Sequence, residues 1–270
     1  HRDDGDACWR VTFERADGTR ESGVARHVIC SAPLRDVGAM VTPEPACRPA
    51  AAMLRYRDFL TVAIILRTDG ELFDDNWIYI HDPSVKVGRI QNFAAWSPEM
   101  VPAEGLACLG LEYFCFEADE LWESSEESLI ELAAVELEKL GLARRDQIVD
   151  GCVVRQPKAY PVYDDHYRTS VETVRAEFQE RYPNLHFVGR NGMHKYNNQD
   201  HAMMTAILTV ENVLAGHTRF DVWSVNEDAE YHEEIRLDRQ LALMGERAVP
   251  RRVSAWCLGG IFLAVADRFW

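Results

Sequence analysis

The chain has 270 residues, 47% of them hydrophobic, which is enough for one large domain or two smaller ones with packed cores. Its formal net charge is −15 and its pI is near 5.0, so no basic surface would attract a polyanion, and we expect no nucleic-acid partner. Seven cysteines form no C-x-x-C pair and most lie in apolar runs. This usage predicts reduced, buried thiols in a cytoplasmic protein.

The N-terminal part of the sequence predicts a β-hairpin. The first residues, His1 to Gly5, lack the pattern of a signal peptide and read like a chain entered in the middle of a domain. Alternation from Cys8 to Arg15 predicts one strand, a turn follows at Ala16–Thr19, and Val24 to Cys30 predicts the second strand. Pro33 lacks a backbone donor and ends the pairing.

A sheet with one helix is predicted next. The run from Leu60 to Leu66 is continuously apolar and rich in β-branched residues, which indicates a strand buried on both faces. A capping box formed by Ser124 and Glu127 starts a helix that Gly141 closes. The remaining strands of a sheet of about four are predicted at Trp77–Ile80, Val87–Phe93 and Ala107–Phe116, and Val149–Val154 offers a strand that leaves the sheet.

The segment from Lys158 to Tyr167 contains three tyrosines in eight residues. Two interpretations are open: a surface loop that uses tyrosine rings for packing, or an aromatic wall of a pocket. After it, Thr169 and Glu172 have the spacing of a capping box for a helix that stops before Pro183. The inward positions of that helix are predicted at Val171, Val174 and Phe178.

The stretch from Asn184 to Ala206 reads as strand, polar loop and helix. Leu185 to Val188 is a short apolar run, and Gly189 permits a tight turn. The helix is capped by Asn198 or Asp200 and ended by Gly216, with apolar positions at Ala202, Met203, Ala206, Ile207, Val210, Val213 and Leu214. A helix N-terminus reached through such a turn suits an anionic ligand such as a pyrophosphate, although the same pattern also fits a plain loop. The loop is unusually polar for a connector, since it holds Asn191, His194, Lys195, Tyr196, Asn197, Asn198, Gln199 and Asp200.

This stretch resembles the second flavin-contacting segment of the FAD-dependent oxidoreductases of the amine oxidase, protoporphyrinogen oxidase and UDP-galactopyranose mutase type. The resemblance extends over roughly residues 8 to 215. It implies an α/β (α+β) fold in which an incomplete, NAD(P)-binding Rossmann-like FAD domain carries an inserted mixed-sheet substrate domain. The implied regions are a β-meander at 1–40, the substrate domain at 41–157, the closing strand and helix at 158–216, and a helical tail at 217–270.

The resemblance also implies the residues that contact FAD. These are Gly189, Arg190, Gly192, Tyr196, Asn197, Asn198, Gln199, Asp200, Ala202 and Met203. Arg190 and Tyr196 could instead face the substrate, as in the mutase-like members. The candidates on the substrate side are Arg89, Asn92, Tyr163 and Tyr167, and Arg89 could equally be an ordinary strand arginine.

No catalytic residue and no metal site is predicted. Three histidines lie close together in the sequence, at 186, 194 and 201, but they have no cysteine or carboxylate at ligand spacing. A flavin carries the hydride chemistry itself, so a polar site without an obvious nucleophile agrees with a flavoprotein.

The sequence departs from the family in one respect. No G-x-G-x-x-G follows a predicted strand, and no acidic residue stands about twenty positions after such a motif to hold the ribose. We therefore expect a fragment of an FAD-dependent oxidoreductase, inactive alone, whose small-molecule substrate is unknown. The alternatives are a mutase-like flavoenzyme acting on a nucleotide sugar and a flavin-free interaction module.

The C-terminal tail contains two compositional segments. The acidic run from Asn226 to Glu234 predicts a solvated helix. The apolar run from Ala255 to Ala266 is too short to span a bilayer, and it suggests at most contact with a membrane surface.

Overall fold

The structure, a computed structural model, describes residues 8–68, 72–101 and 103–227, together with the backbone of 2–3 and 261–264. The chain divides into two compact units. The first contains His1–Leu54 and Tyr163–Trp270, and the second contains Arg55–Val162. The fold is a mixture of helices, parallel strands and a five-stranded antiparallel sheet, as the α/β (α+β) prediction requires.

The first unit begins with a small antiparallel sheet of β1 (Arg2–Asp3), β2 (Cys8–Glu14) and β3 (Arg20–Ala25). The predicted second strand, Val24 to Cys30, is wrong because the chain leaves this sheet at Arg26. The next strand, β4 (His27–Cys30), pairs in parallel with β10 (Leu185–Phe187) and β11 (Ile261–Ala264). Val28 and Ile29 are neighbours and both are buried, so β4 is packed on both of its faces. This is typical of a strand in a parallel sheet and not of a strand in a surface hairpin.

Three helices of the first unit enclose its core. They are α1 (Leu34–Met40), α2 (Arg48–Met53) and α6 (Tyr167–Arg181), and they pack Leu34, Leu54, Val174 and Phe178 against Phe187 of β10. Because α1 and α2 belong to this core, the second unit starts at Arg55, whereas the predicted substrate domain starts at residue 41.

Helix α6 starts earlier than predicted. Its N-cap is His166, so the prediction of a cap at Thr169 is wrong. The cause is Asp164, whose Oδ1 accepts the backbone N–H of His166 at 3.0 Å and whose carbonyl accepts that of Tyr167 at 3.3 Å. This turn starts the helix two residues before Thr169. The predicted inward residues Val174 and Phe178 are buried.

The second unit is built on an antiparallel sheet in the order β6-β7-β8-β5-β9. Burial alternates along β5, with Leu60, Val62 and Ile64 buried and the residues between them only half-buried, so the prediction of a strand buried on both faces is wrong. When an antiparallel sheet packs against a helix on one face only, every second residue of a strand points toward that helix and is buried. The strands are β5 (Tyr56–Arg67), β6 (Trp77–Tyr79), β7 (Arg89–Asn92), β8 (Leu106–Cys115) and β9 (Ile148–Pro161).

Strand β9 corrects two predictions. The sheet has a fifth strand, since β9 pairs with β5 along most of its length instead of leaving after Val154. Residues 158–161 therefore lie in a strand, and the tyrosine-rich segment is a loop only from Val162 onward. Short helices connect the strands, at α3 (Phe93–Trp96) and α4 (Glu120–Glu123).

Helix α5 (Glu126–Lys139) covers the buried face of this sheet. Its N-cap is Ser125, which accepts the N–H of Ser128, so the cap predicted at Ser124 is displaced by one residue because Ser124 donates to the Glu120 carbonyl instead. The buried Glu136 of α5 accepts hydrogen bonds from the backbone N–H groups of Lys86 and Val87 and from the Tyr113 hydroxyl, at 2.6, 3.1 and 3.0 Å. One carboxylate thus joins helix, loop and strand.

The first unit closes with α7 (Gly189–Gly192) and α8 (Gln199–Ala215). Helix α8 has the predicted cap at Asn198 and ends at Gly216 in the left-handed conformation, φ 72°, which confirms both predicted ends. A short 3₁₀ turn at Val222–Ser224 follows. The predicted helix at 226–234 and the apolar run at 255–266 lie outside the described residues except for 226–227 and the strand at 261–264.

Among the described residues, no helix has both the length and the apolar character needed to cross a bilayer.

We predict that Glu136→Gln lowers the free energy of unfolding by about 2–3 kcal/mol, because its amide NH₂ would face groups that now donate to a carboxylate. Urea denaturation followed by circular dichroism measures the change. The control is Glu138→Gln, an exposed position two residues further along α5, which should change stability by less than about 0.5 kcal/mol. Equal losses in the two variants would contradict the role given to Glu136.

Candidate cofactor-binding site

The predicted glycine-arginine turn follows β10 directly. Val188 donates its N–H to the Cys30 carbonyl at 3.0 Å, which ties the end of β10 to the end of β4. Gly189 then adopts a φ of 76°, a conformation that favours glycine, and its buried N–H donates to Thr205 Oγ1 at 2.9 Å. The turn is therefore fixed both to the sheet and to helix α8.

Gly192 is required for packing. A Cβ at this position would lie 2.7 Å from the Cys30 carbonyl oxygen and 3.2 Å from the Cα of Ser31, both in the backbone. Because backbone cannot move aside as a side-chain end can, no larger residue fits here. The polar loop predicted after Gly189 begins instead as the one-turn helix α7, which this close approach allows.

Arg190 holds the loop that crosses from α7 to α8. Its Nε donates to the Asn197 carbonyl at 2.8 Å, its terminal amino group lies 3.4 Å from Asn198 Oδ1, and its guanidinium is 4.8 Å from the centre of the Tyr196 ring. The arginine and the loop residues predicted with it are thus brought together. The position of Arg190 is determined by the loop itself.

The amides of the crossing loop organise the start of α8. Asn197 is buried, and its side-chain amide lies 3.4 Å from the Gly189 carbonyl. Asn198 forms a reciprocal cap with His201, whose Nδ1 lies 3.2 Å from the Asn198 backbone nitrogen. Gln199 and Asp200 are exposed beside them. The helix start is therefore preorganised, with a polar rim open to solvent.

Helix α8 is buried most deeply at two residues outside the predicted apolar set, Thr205 and Thr209. The predicted apolar positions divide into a half-buried group, Ala202, Ala206, Val210 and Val213, and an exposed group, Met203, Ile207 and Leu214, which are 61%, 50% and 74% exposed. The Thr205 hydroxyl explains its burial, since it accepts from the Gly189 N–H and donates to the Ala202 carbonyl. The predicted cofactor residues Ala202 and Met203 consequently lie half-buried and exposed, respectively, at the start of the helix.

The two predicted substrate tyrosines of the first unit lie against this loop. The rings of Tyr163 and Tyr167 stack with their centres 4.4 Å apart and an angle of 15° between their planes. The Tyr163 hydroxyl accepts the Tyr196 N–H at 2.6 Å. Burial raises the pKa of Tyr163, and the charge of Arg190 opposes that rise. The tyrosine stack is thus part of the same assembly as Arg190 and Tyr196.

The other two predicted substrate residues belong to the second unit. Arg89 on β7 forms an ion pair with the buried Glu112 of β8. Asn92 caps α3 by accepting the Ala94 N–H at 3.2 Å, and it donates to the Phe73 carbonyl at 2.7 Å. It also lines a pocket of about 590 Å³ together with Phe73 and Ala94.

Sequence reasoning missed the segment that follows α8. Lys195 Nζ donates to the carbonyls of Trp223 and Val225, at 2.8 and 2.6 Å, and burial lowers its pKa. The Asn226 side chain donates to the Tyr196 carbonyl at 3.0 Å. The region assigned to the tail therefore begins by packing on the crossing loop, a long-range contact that no local pattern in the sequence could have indicated.

A histidine pair links the two strands below the turn. His27 Nδ1 lies 3.1 Å from His186 Nε2, so one ring donates and the other accepts. Burial lowers the pKa of both rings, to about 4 for His186, and Arg26 adds repulsion at His27. Each ring is neutral in the folded protein at neutral pH, and protonation of both would leave two donors facing each other.

We predict that stability falls on acidification through this pair. A depressed folded-state pKa contributes stability above the unfolded value of 6.5 and loses it as the pH falls toward 4. The free energy of unfolding should be about 1–2 kcal/mol smaller at pH 5 than at pH 7.5. In His186→Phe this pH dependence should be shallower in urea denaturation, whereas the exposed-site control His81→Asn should retain it. A slope unchanged in His186→Phe would contradict this account.

Comparisons with other proteins agree with this fold. The sequence matches no known family profile and no curated protein sequence. The structure is similar to that of a reduced UDP-galactopyranose mutase, with a TM-score of 0.66 and 22% identity over 80% of this chain and 46% of the mutase. It is also similar to a protein from Exiguobacterium sp. 255-15 that is described as a protoporphyrinogen oxidase. The TM-score is 0.56 and the identity 18%, over 78% of this chain and 45% of the other. The chain thus shares their fold and spans less than half of the length of each.

Proposed function

We propose that the first unit supplies one side of an FAD site and that the chain is part of a flavin-dependent oxidoreductase acting on a small molecule. The observation that carries the proposal is the fold. Over about four fifths of this chain it is similar to the folds of a protoporphyrinogen oxidase and of a UDP-galactopyranose mutase whose structure is of the reduced form. The strand, left-handed glycine turn and capped helix from Leu185 to Ala215 lie within the first unit.

The geometry of the turn supports a phosphate-bearing cofactor. A Cβ on Gly189 would lie 3.9 Å from the Cβ of Ala202, an ordinary van der Waals contact, so the first turn of α8 lies directly against the glycine turn. The N-terminus of α8 faces this region, and its dipole favours an anion there. Gly189, Asn198 and the first turn of α8 would hold the cofactor, which itself supplies the hydride chemistry when bound.

These residues would contact only one side of the cofactor. The given sequence has no G-x-G-x-x-G fingerprint after a strand, and the side chain of Asn198 is already used to cap the start of α8. We therefore propose that the other side of the cofactor is held by a further polypeptide segment that carries the fingerprint. The exposed Met203, Ile207 and Leu214 support this, because an apolar helix face of this kind is normally covered.

The tyrosine stack supports a substrate position beside the cofactor. Tyr163 and Tyr167 are held against Tyr196, so they offer an aromatic wall next to the crossing loop. A preformed wall of this kind restricts the orientation of a bound molecule and excludes water.

A mutase acting on a nucleotide sugar is the second candidate. It is favoured by the likeness to UDP-galactopyranose mutase and by the pairing of Arg190 with Tyr196, a cation beside an aromatic ring that suits a diphosphate. Arg190→Ala would not test it cleanly, because the same guanidinium holds the Asn197 carbonyl. Binding of a nucleotide sugar to the FAD-loaded protein, measured by calorimetry, separates the two candidates.

We predict that the chain extended by the residues encoded upstream of His1 binds FAD and that Asn198→Ala weakens this binding about fivefold. Loss of an N-cap costs about 1 kcal/mol and disorders the first turn of α8. Fluorescence titration with FAD measures the change. Asn198→Ser keeps a capping oxygen and should bind nearly as well, and Glu211→Gln, exposed near the other end of α8, is the matched control.

Two outcomes would contradict the proposal. One is a folded, extended protein that purifies without flavin absorption and binds no added FAD, which would leave the flavin-free interaction module. The other is FAD binding that is equally strong in the wild type and in Asn198→Ala, which would place the cofactor away from α8.

A further inference from the structure

A cavity of about 610 Å³ lies within the first unit, along the edge of β10 and between α6 and α8. Its walls come from the C-terminal halves of the two helices, from the strand and from residues 216–223. None of the residues predicted to contact FAD lines it, since those residues lie at the other end of α8. The volume is in the range of pockets that hold small organic ligands.

Aromatic rings form two walls of the cavity. Phe178 of α6 and Phe187 of β10 are buried and meet edge to face, with ring centres 5.1 Å apart and an angle of 79°. Trp223 contributes a third ring, and the Arg175 guanidinium lies 4.9 Å from the centre of that ring. The same guanidinium is 3.4 Å from Asp221 Oδ1, so its charge is compensated. The cavity therefore offers apolar ring faces beside an ion pair of zero net charge.

The wall formed by residues 216–223 is held in place by Asn212 of α8. Its Oδ1 accepts the N–H groups of Arg219 and Phe220 at 2.8 and 3.0 Å, and its Nδ2 donates to the Phe220 carbonyl at 2.8 Å. The left-handed Gly216 turns the chain where the helix ends. The cavity is thus formed before a ligand enters it, which lowers the entropy lost on binding.

Thr209 of α8 places a buried hydroxyl on the wall of the cavity. The residue is 3% exposed, and within the described parts of the chain its hydroxyl forms no hydrogen bond. Thr205, one turn earlier, is equally buried and has two partners. Buried hydroxyls are normally hydrogen-bonded, because a group that loses water without gaining a partner is unfavourable. The Thr209 hydroxyl therefore indicates a polar partner inside the cavity.

The backbone of β10 adds a donor and an acceptor. This strand lies at the edge of the described sheet, and the Asn184 carbonyl and the Val188 N–H both bond to β4. Successive residues of a strand direct their backbone groups to opposite sides, so Phe187 directs its N–H and its carbonyl away from β4. Phe187 lines the cavity, and the edge of the strand is therefore available to a ligand there.

The histidine pair has the same neutral character. His27 and His186 both line the cavity and share one hydrogen bond between Nδ1 and Nε2. A neutral imidazole has one N–H and one lone pair, so the two remaining ring nitrogens are one donor and one acceptor, whichever ring donates. The polar groups of the cavity thus require a ligand that both donates and accepts, and none of them selects an ion.

We propose that this cavity binds an uncharged, planar heteroaromatic compound of two or three rings that carries a donor and an acceptor on one edge, as a lactam does. Its rings pack against Phe187 and Trp223, and its polar edge pairs with the backbone of β10 and with the Thr209 hydroxyl. The site goes beyond the proposed function, since it requires neither FAD nor the crossing loop.

The test measures binding to the full chain without flavin. The probe is 2-quinolone, an uncharged two-ring lactam. N-methyl-2-quinolone has the same rings without the N–H donor, and quinoline-2-carboxylate has two such rings with a negative charge. Calorimetry gives the dissociation constants, and saturation-transfer NMR detects contact. We expect saturable binding of 2-quinolone at one site and binding of the other two that is weaker by about tenfold or more, because a site built for a hydrogen bond rejects a ligand that lacks it.

One set of variants tests the hydroxyl. Thr209→Val removes it at nearly the same volume, so binding should weaken about fivefold, whereas stability in urea should not fall because the hydroxyl has no partner to lose. Thr209→Ser keeps the hydroxyl and should bind as the wild type does. The control is Thr12→Val, at an exposed threonine of β2, which should change nothing.

A second set of variants tests the walls. Trp223→Ala removes a ring, and Val213→Phe fills the cavity from α8, so each should raise the dissociation constant by about tenfold or more. Trp96→Ala, at an exposed tryptophan of the second unit, should leave it unchanged. Circular dichroism confirms that each variant is folded.

Four results would overturn the proposal. The first is a folded wild-type chain that binds no 2-quinolone, and the second is equal binding of the N-methyl compound. The third is tighter binding of the carboxylate, which would indicate an anion site at Arg175. The fourth is binding that is unchanged in both Thr209→Val and Trp223→Ala. Because no flavin is present, none of these results bears on the FAD proposal, and a failure to bind FAD leaves the lactam site standing.

Discussion

The first unit depends on one parallel pairing, that of β4 with β10. Val28, Ile29 and Cys30 are hydrogen-bonded to a strand more than 150 positions further along the chain. Everything in the candidate cofactor site is built on this contact, since the end of β4 supplies the carbonyl that receives Val188 and the backbone against which Gly192 packs. The whole second unit is an insertion between the two partners.

Buried carboxylates have the corresponding role in the second unit. Glu136 binds a loop and a strand to α5, and Glu112 fixes two neighbouring strands by their side chains. Asp58 accepts the backbone N–H groups of Glu117 and Lys158 at 2.8 and 2.7 Å, beside the irregular pairing of β5 with β9. A carboxylate in such a position is stable because it receives several donors at once, and those donors lie on other elements of the unit.

Local signals in the sequence were sufficient for the ends of α8 and for the existence of most strands. Asn198 and Gly216 act within one turn of the helix, so their chemistry is readable from their neighbours. The burial of Thr205 was not readable in this way. Thr205 is buried because the Gly189 amide requires an acceptor, and that requirement arises only after the strand, the turn and the helix have come together. The hydrophobic pattern alone therefore did not identify the most deeply buried residues of the helix.

The same division holds for the candidate site. The residues of the crossing loop were predicted because a run of polar side chains beside a glycine turn is unusual, and Tyr163 and Tyr167 do lie against that loop. The contribution of Lys195 and Asn226 could not be predicted, because their partners are carbonyl groups whose positions depend on the fold. The buried position of Glu112 was equally hidden, since a strand glutamate is usually exposed.

The uninterrupted run of the second unit, Arg55 to Val162, has a consequence for the order of folding. Its sheet is completed when β9 pairs with β5, so all of its strands are available once residue 162 has been synthesised. Strand β4 leaves the ribosome earlier but cannot pair until residues 185–187 follow it. The contact order of the first unit is therefore high, and during synthesis its N-terminal part waits beside a second unit that is already folded.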